Sequence, residues 1–148
     1  MYLIFDTETT GLPRNFKAPI TDTNNWPRVV QLAWQLHDES GKLIKHNAAI
    51  IKPNGFTIPF DSEKVHGIST ALATYVGREL DEVIAEFMYD LKQAKFIVGH
   101  NLKFDVNVMG CEFVRMDMES PLETMPVLDT CTEDSAALVQ LTGGKGGR

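Results

Sequence analysis

Two runs of apolar residues without polar alternation stand out along the chain, YLIF at residues 2–5 and FIVG at residues 96–99. Such runs are typical of central strands that are covered on both faces of a sheet. Between them, residues 28–38 and 42–52 carry strand-type side chains on either side of a short turn with a glycine. This arrangement predicts an antiparallel hairpin, so the first part of the sheet is expected to be antiparallel.

Helical periodicity follows the hairpin. Residues 80–94 place one apolar stripe on a helix, formed by Leu80, Val83, Ile84, Phe87, Met88 and Leu91. Asn101 is a predicted N-cap for a helix over 102–116, and Ser69 for a segment that begins at Thr70. A short helical turn is expected to stop at Gly67, and a short strand at 127–130 precedes a last predicted helix at 132–141. Residues 10–27 are expected to form a long exposed loop. The order predicts an α/β fold, a mixed sheet with helices on its faces.

Composition limits the function classes. The chain has 148 residues, 43% of them hydrophobic, which is enough for one compact domain. It has no run long enough to span a membrane and no secretion signal, so we expect a cytoplasmic protein without a membrane partner. Cys111 and Cys131 fit reduced thiols and neither a zinc site nor a disulfide framework. A net charge of −6 disfavours a protein that coats nucleic acid by charge alone.

Two carboxylates, Asp6 and Glu8, end the first apolar run. Side chains two apart on a strand point the same way, so these acids are expected to share one face. Two close carboxylates in a partly buried place ionise at a cost unless something compensates them, and oxygen ligands favour Mg²⁺ or Mn²⁺. The alternative is that Asp6, Thr7 and Thr9 only organise a tight turn. These residues by themselves leave both interpretations open.

A third acid, Asp105, lies in the first turn of the helix predicted after FIVG. If that strand lies parallel beside residues 2–5, both carboxyl ends open into one crevice, where open α/β sheets bind ligands. Asp105 would then complete a cluster of three carboxylates. The alternative role of Asp105 is to interact with the helix dipole, and that of Asn101 is simple capping. Both alternatives are compatible with metal binding.

The segments DTETTGL (6–12) and HNLKFD (100–105) resemble the first and second motifs of the DEDD (DnaQ-like) exonuclease superfamily. That superfamily includes the epsilon proofreading subunit of bacterial DNA polymerase III, ribonuclease T and oligoribonuclease. VHGIS (65–69) is similar to its His-Gly-Ile segment, and the resemblance covers essentially the whole chain. It implies a ribonuclease H-like fold with a mixed five-stranded sheet flanked by helices. It also implies metal-dependent removal of nucleotides from a 3′ end as 5′-monophosphates.

The resemblance implies site roles by position. Asp6, Glu8 and Asp105 would be the catalytic ligands of two divalent ions, Mg²⁺ or Mn²⁺. Five residues match positions that contact substrate: Thr7, Thr9, Leu12, His66 and Asn101. Leu12 matches an apolar wedge beside the terminal base, the alternative being a loop residue packed on the core. For His66 the alternative is a histidine that is satisfied within the protein. The expected partners are the 3′ end of single-stranded DNA, in proofreading or repair, and a DNA polymerase subunit. An RNA 3′ end also fits, because the motifs do not read the 2′-hydroxyl.

One expected motif is missing. In the family a His four or five residues before a final Asp acts as the general base, and that Asp is the fourth metal ligand; no such pair follows Val127. Asp129 and Asp134 are the only later aspartates, and we expect neither to substitute. The simplest interpretation is an exonuclease domain over residues 1–142 that lacks its C-terminal helices, with a flexible Gly-rich tail at 143–148. The 148-residue chain is therefore expected to be poorly active. The alternative is a non-catalytic nucleic-acid-binding or scaffold module with the same fold.

Overall fold

A computed structural model describes residues 1–132 and Asp134. Within this part, five strands form one sheet in the order β3-β2-β1-β4-β5. They are β1 (Tyr2–Thr9), β2 (Val29–His37), β3 (Leu43–Ile50), β4 (Phe96–Gly99) and β5 (Val127–Asp129). Strand β1 pairs antiparallel with β2 and parallel with β4, while β2–β3 is antiparallel and β4–β5 is parallel. The predicted hairpin and mixed five-stranded sheet are confirmed. The tail at 143–148, and the helix predicted at 132–141 apart from Thr132 and Asp134, lie outside the described residues.

The helices are α1 (Phe60–His66), α2 (Thr70–Val76), α3 (Leu80–Leu91) and α4 (Leu102–Arg115), and a 3₁₀ turn covers Leu122–Thr124. Gly67 ends α1 with φ 77°, a left-handed conformation that glycine adopts without steric cost. Ser69 caps α2 as predicted, because its hydroxyl accepts the backbone N–H of Leu72 at 3.0 Å. The helices described for residues 1–132 are all too short or too polar to cross a bilayer.

The main core lies between the sheet and helices α3 and α4. Phe87 of α3 packs edge-on against Phe5 and Trp34, with ring centroids 5.5 Å and 5.6 Å apart. The predicted stripe of α3 supplies its buried side, and the buried side chains of α4 join the same cluster as Leu3 and Phe5. Alternation along β1 therefore sends one set of side chains into the core and the other set to the opposite face.

The expectation that YLIF is covered on both faces is wrong. Ile4 is 36% exposed, and it lines an open groove of about 680 Å³ together with Asp6, Ala33 and Val98. The physical reason is that the buried hydrophobic residues of α3 and α4 belong to the same core cluster as Leu3 and Phe5, on the opposite side of β1 from Ile4. An apolar run without alternation indicates a strand, but it does not reveal whether a second layer covers it.

The loop from Thr10 to Arg28 is only partly exposed, which corrects the prediction for residues 10–27. Trp26 is 3% exposed. Arg115 at the end of α4 donates to the carbonyls of Thr23 and Trp26, each at 2.7 Å. Glu112, one helical turn earlier, accepts from Arg28 Nε at 2.9 Å and is 1% exposed. These buried polar contacts fix the second half of the loop on α4, which sequence periodicity does not reveal.

Candidate active site

The site forms where β1 and β4 end. These strands are parallel neighbours, so their carboxyl ends lie at the same edge of the sheet, and α4 begins just beyond β4. Along β1, Thr7 and Thr9 are buried, whereas Asp6 and Glu8 belong to the opposite, more exposed set. The predictions of a shared face for the two acids and of parallel strands are thus confirmed. The predicted catalytic and metal-binding roles of Asp6 and Glu8 stay predictions.

Thr7 connects the strand to the third acid. Its backbone N–H donates to Asp105 Oδ1 at 3.1 Å, and its hydroxyl donates to the same oxygen at 2.5 Å. Asp105 is 3% exposed, so these contacts hold it behind the strand end. Both Thr7 donors use Oδ1 and leave Oδ2 to other partners. The side chain between the two exposed acids therefore fixes Asp105, and the predicted substrate contact of Thr7 stays a prediction.

The three acids interact electrostatically. The pKa of Asp105 is raised to about 7, mainly by burial and also by the charge of Asp6, while the Thr7 hydrogen bonds oppose the shift. Partial burial also raises the pKa of Asp6, against the backbone N–H of Thr7 and the charge of His100. For Glu8, burial and the neighbouring Asp6 raise the pKa, and His66 opposes them. Asp6 is thus coupled to both other acids, and a positive charge between them would relieve the repulsion.

The donor set fits a hard divalent cation. As the side chains stand, no group of three or more His, Cys, Asp or Glu residues in the described part of the chain is arranged to hold a metal. The chemistry of Asp6, Glu8 and Asp105 nevertheless matches Mg²⁺ or Mn²⁺, which prefer carboxylate oxygens. Burial raises the pKa of all three carboxylates, so a bound cation would favour their ionised forms. We therefore consider these three residues the ones that would hold metal.

The turn after β1 is organised by Thr9. Its hydroxyl donates to the carbonyl of Gly11 at 2.7 Å and accepts the Gly11 N–H at 3.3 Å. The tight-turn role weighed from sequence is therefore present for Thr9. Leu12 follows with 71% exposure, so the alternative that it packs on the core is wrong. Its predicted contact with a terminal base, like that of Thr9 with substrate, stays a prediction.

His66 is held by both ring nitrogens. The backbone N–H of Ile68 donates to Nδ1 at 3.1 Å, so Nδ1 carries no proton. Nε2 therefore carries the proton in the neutral ring, and it donates to the Thr9 carbonyl at 3.2 Å. His66 thus ties α1 to the end of β1, which corresponds to the satisfied histidine weighed as an alternative. Its predicted contact with substrate stays a prediction.

The predicted N-cap position of Asn101 is confirmed, but Asn101 does not cap α4 with its side chain. Asn101 occupies the N-cap position of α4, but its φ of 56° is left-handed and its side chain makes no capping bond. Asp129 at the end of β5 accepts instead from the N–H groups of Asn101 and Leu102, each at 2.9 Å. Asn101 is exposed, and its predicted contact with substrate stays a prediction.

Sequence reasoning missed this role of Asp129. Burial acts to raise its pKa, but three backbone N–H donors and the charge of His100 together lower it below the usual value. The carboxylate is thus committed to the start of the helix that carries Asp105. The sequence signal that could have predicted this capping role is the position of Asp129 at the end of the short strand β5. The expectation that Asp129 does not replace a metal ligand stays a prediction.

Comparison with known proteins identifies the family. The sequence profile of the RNase T exonuclease family matches residues 3–144. The chain belongs to this family of DEDD 3′–5′ exonucleases. It is 31% identical over 131 residues to DNA polymerase III PolC-type of Pediococcus pentosaceus, covering 88% of this chain and 8% of that protein. It is 26% identical over 129 residues to the 3′–5′ exonuclease DinG of Bacillus subtilis, covering 87% and 12%.

Solved structures agree on the fold of this DEDD exonuclease domain. E. coli exonuclease I in complex with a dT13 oligonucleotide superimposes with a TM-score of 0.71 at 20% identity, covering 95% of this chain and 30% of that one. Exonuclease I without ligand gives 0.70 at 19% identity, covering 97% and 32%. At such identities the match establishes the ribonuclease H-like fold. The chain spans a small part of each of these proteins. DEDD exonucleases generally use divalent metal ions, in agreement with the donor set of Asp6, Glu8 and Asp105.

Proposed function

We propose that this domain is the catalytic part of a metal-dependent 3′–5′ exonuclease that releases 5′-mononucleotides from single-stranded DNA. The observation that carries the proposal is the set of three interacting carboxylates, Asp6 and Glu8 near the end of β1 and Asp105 in the first turn of α4, just beyond the parallel strand β4. DNA as the substrate is supported by the relatives PolC-type polymerase and DinG and by the oligonucleotide bound to exonuclease I. The PolC-type relative also supports action in the cytoplasm beside a polymerase, in proofreading or repair.

In this proposal the chain's own residues position charge. Asp6, Glu8 and Asp105 would hold Mg²⁺ or Mn²⁺, two ions in the complete enzyme. When bound, such ions neutralise the scissile phosphate and stabilise the attacking and leaving oxygens of an in-line displacement. Thr7 keeps Asp105 oriented and favours its ionised form, which is the form a cation needs. Leu12, exposed just beyond the acids, would contact the terminal base.

A second candidate is a non-catalytic module that binds nucleic acid. It is favoured by one observation: as the side chains stand, residues 1–132 and Asp134 contain no preformed group of three metal ligands. The two candidates differ in whether bound DNA loses its terminal nucleotide.

The deciding experiment is Mn²⁺-dependent release of mononucleotides from a 3′-labelled single strand, with an RNA strand in parallel. We expect slow release that is abolished in Asp6→Asn and Asp105→Asn and unchanged in Asp81→Asn, an acid in the first turn of α3. Binding of the strand without any release, under conditions where Mn²⁺ also binds, would favour the non-catalytic module. Robust activity of the 148-residue chain that Asp6→Asn abolishes would contradict the expectation that the missing motif is essential.

A further inference from the structure

Exposed cationic and aromatic side chains occur on the loop after β1 and on the first turn of α4. Arg14, Phe16 and Lys17 of the loop after β1 are exposed, and so is Lys103 in the first turn of α4. The ring of Phe16 lies 6.5 Å from the ring of Phe104. Phe104 directly precedes Asp105, so the loop contacts the helical turn that carries the third acid. We call Arg14, Phe16, Lys17 and Lys103 the rim.

The backbone under the rim is fixed. The N–H of Asn15 donates to Asn25 Oδ1 at 2.8 Å, and Asn25 Nδ2 donates back to the Asn15 carbonyl at 2.9 Å. The N–H of Lys17 donates to Asn15 Oδ1 at 2.9 Å, and Trp26 Nε1 donates to the Pro19 carbonyl at 3.1 Å. Asn25 and Trp26 are buried, so the exposed rim stands on an ordered base. A surface held in this way loses little conformational entropy when it binds a ligand.

The rim cations make no ion pair within the part of the chain that the structure describes. No carboxylate among the described residues lies within ion-pair distance of Arg14, Lys17 or Lys103, whereas Arg28 and Arg115 both pair with Glu112. Phe16 remains 54% exposed despite its contact with Phe104. The chain as a whole has a net charge of −6, so unpaired cations beside an aromatic face make this part of the surface unusually positive. Proteins that bind single strands combine these two features, with cations along the phosphates and aromatic rings under the bases.

We propose that the rim is a binding subsite for the nucleotides that precede the 3′-terminal one in a single-stranded substrate. Arg14, Lys17 and Lys103 contact the phosphates, and a base stacks on Phe16. The inference rests on the proposed exonuclease function and deepens it, because it makes binding depend on strand length. A mononucleotide, which reaches only the acids, gains nothing from the rim.

The test measures binding by fluorescence anisotropy in EDTA, so that it requires neither metal nor turnover. The probes are labelled oligothymidylates of about 4 and about 12 nucleotides, with thymidine 5′-monophosphate as the competitor that reaches only the terminal site. The charge variant is Arg14→Gln with Lys17→Gln. Its control is Lys42→Gln with Lys92→Gln, two exposed lysines that also lack a described ion pair.

We expect the charge variant to reduce the slope of log affinity against log salt by about 1.4, two contacts at about 0.7 each. Phe16→Leu keeps an apolar contact with Phe104 but removes the aromatic face, so it should weaken oligonucleotide binding at least about 5-fold. Phe16→Trp should retain binding. The control pair and the competitor's affinity should stay at wild-type values in every comparison.

The inference is overturned if the wild-type chain binds no oligonucleotide, if the rim variants match wild type, or if the control pair weakens binding equally. It is also overturned if the rim variants weaken the mononucleotide as much as the longer strands. Asp6→Asn separates it from the proposed function: this change should abolish nucleotide release and leave metal-free oligonucleotide binding intact. If the rim binds oligonucleotides but no nucleotide is released with metal, the proposed exonuclease function is refuted and the rim subsite is supported. If nucleotides are released but the rim variants bind like wild type, the rim subsite is refuted and the exonuclease function is supported.

Discussion

The hydroxyl of Thr7 should control the protonation of Asp105. Thr7→Val removes this donor, which lies 2.5 Å from Asp105 Oδ1, and keeps both the shape of the side chain and the backbone N–H that reaches the same oxygen. Because the hydroxyl stabilises the ionised carboxylate, its loss should raise the pKa of Asp105 above the present value of about 7. The protein should otherwise keep its fold.

The size of the effect follows from the energy of one hydrogen bond. A hydrogen bond to a charged group contributes about 1.5–3 kcal/mol, and 1.36 kcal/mol corresponds to one pKa unit. The pKa of Asp105 should therefore rise by roughly one to two. At pH 7 the ionised fraction falls from about one half to between about 10% and about 1%. Since a cation binds the ionised acid, apparent Mn²⁺ affinity should fall about 5- to 50-fold at pH 7 and recover above about pH 9.

Two measurements check this prediction. Carboxyl carbon NMR of metal-free protein gives the pKa of Asp105, and the electron paramagnetic resonance signal of free Mn²⁺ gives affinity across the pH range. Thr74→Val is the matched control, since it removes a hydroxyl that donates to the Thr70 carbonyl on α2. An unchanged pKa in Thr7→Val, or an affinity loss of equal size at every pH, would refute the reasoning.

Three further changes test the surrounding structure. In metal-free protein the raised pKa of Asp105 means that the folded state holds its proton more tightly than the unfolded state. Stability should therefore fall by up to about 4 kcal/mol as pH rises from near 3.8 to about 7, and urea unfolding of Asp105→Asn should lack this fall. Asp129→Ala should lower the free energy of unfolding by about 1–2 kcal/mol and speed amide exchange at Leu102. Exchange at Leu102 at the wild-type rate would contradict this prediction. Glu112→Ala should lower the free energy of unfolding by about 3–5 kcal/mol in the same assay, because it leaves the partly buried Arg28 and Arg115 without their carboxylate. A loss below about 1 kcal/mol would argue against a buried ion pair.

Local sequence was informative wherever one strand or helix decides the outcome. The two-residue period of β1 placed Asp6 and Glu8 on one face, and the apolar runs at 2–5 and 96–99 identified the neighbouring parallel strands. The stripe on α3 and the Ser69 cap also followed from short-range pattern. These features depend on geometry within one element and on the fact that the carboxyl ends of parallel strands lie at the same edge of a sheet.

Features that depend on distant partners were missed. Asp129 reaches the start of α4 across 28 residues of sequence, and it takes the capping role expected of Asn101. Ile4 is exposed because both large helices pack on the other side of the sheet. Arg115 binds loop carbonyls about 90 residues away, which kept part of the loop from being exposed. Each of these features is set by tertiary packing, and none of them produces a periodic pattern in the sequence.

The alternation along β1 restricts which insertions and deletions the gene can accept. Removing one residue between Tyr2 and Asp6 while the strand keeps its pairing would exchange the two faces beyond that point, sending the acids inward and Thr7 outward. Extra residues in the turn between β2 and β3 would leave the face of every side chain in β1 unchanged. Length variation among functional variants should therefore accumulate in such turns and be absent from the eight residues of β1.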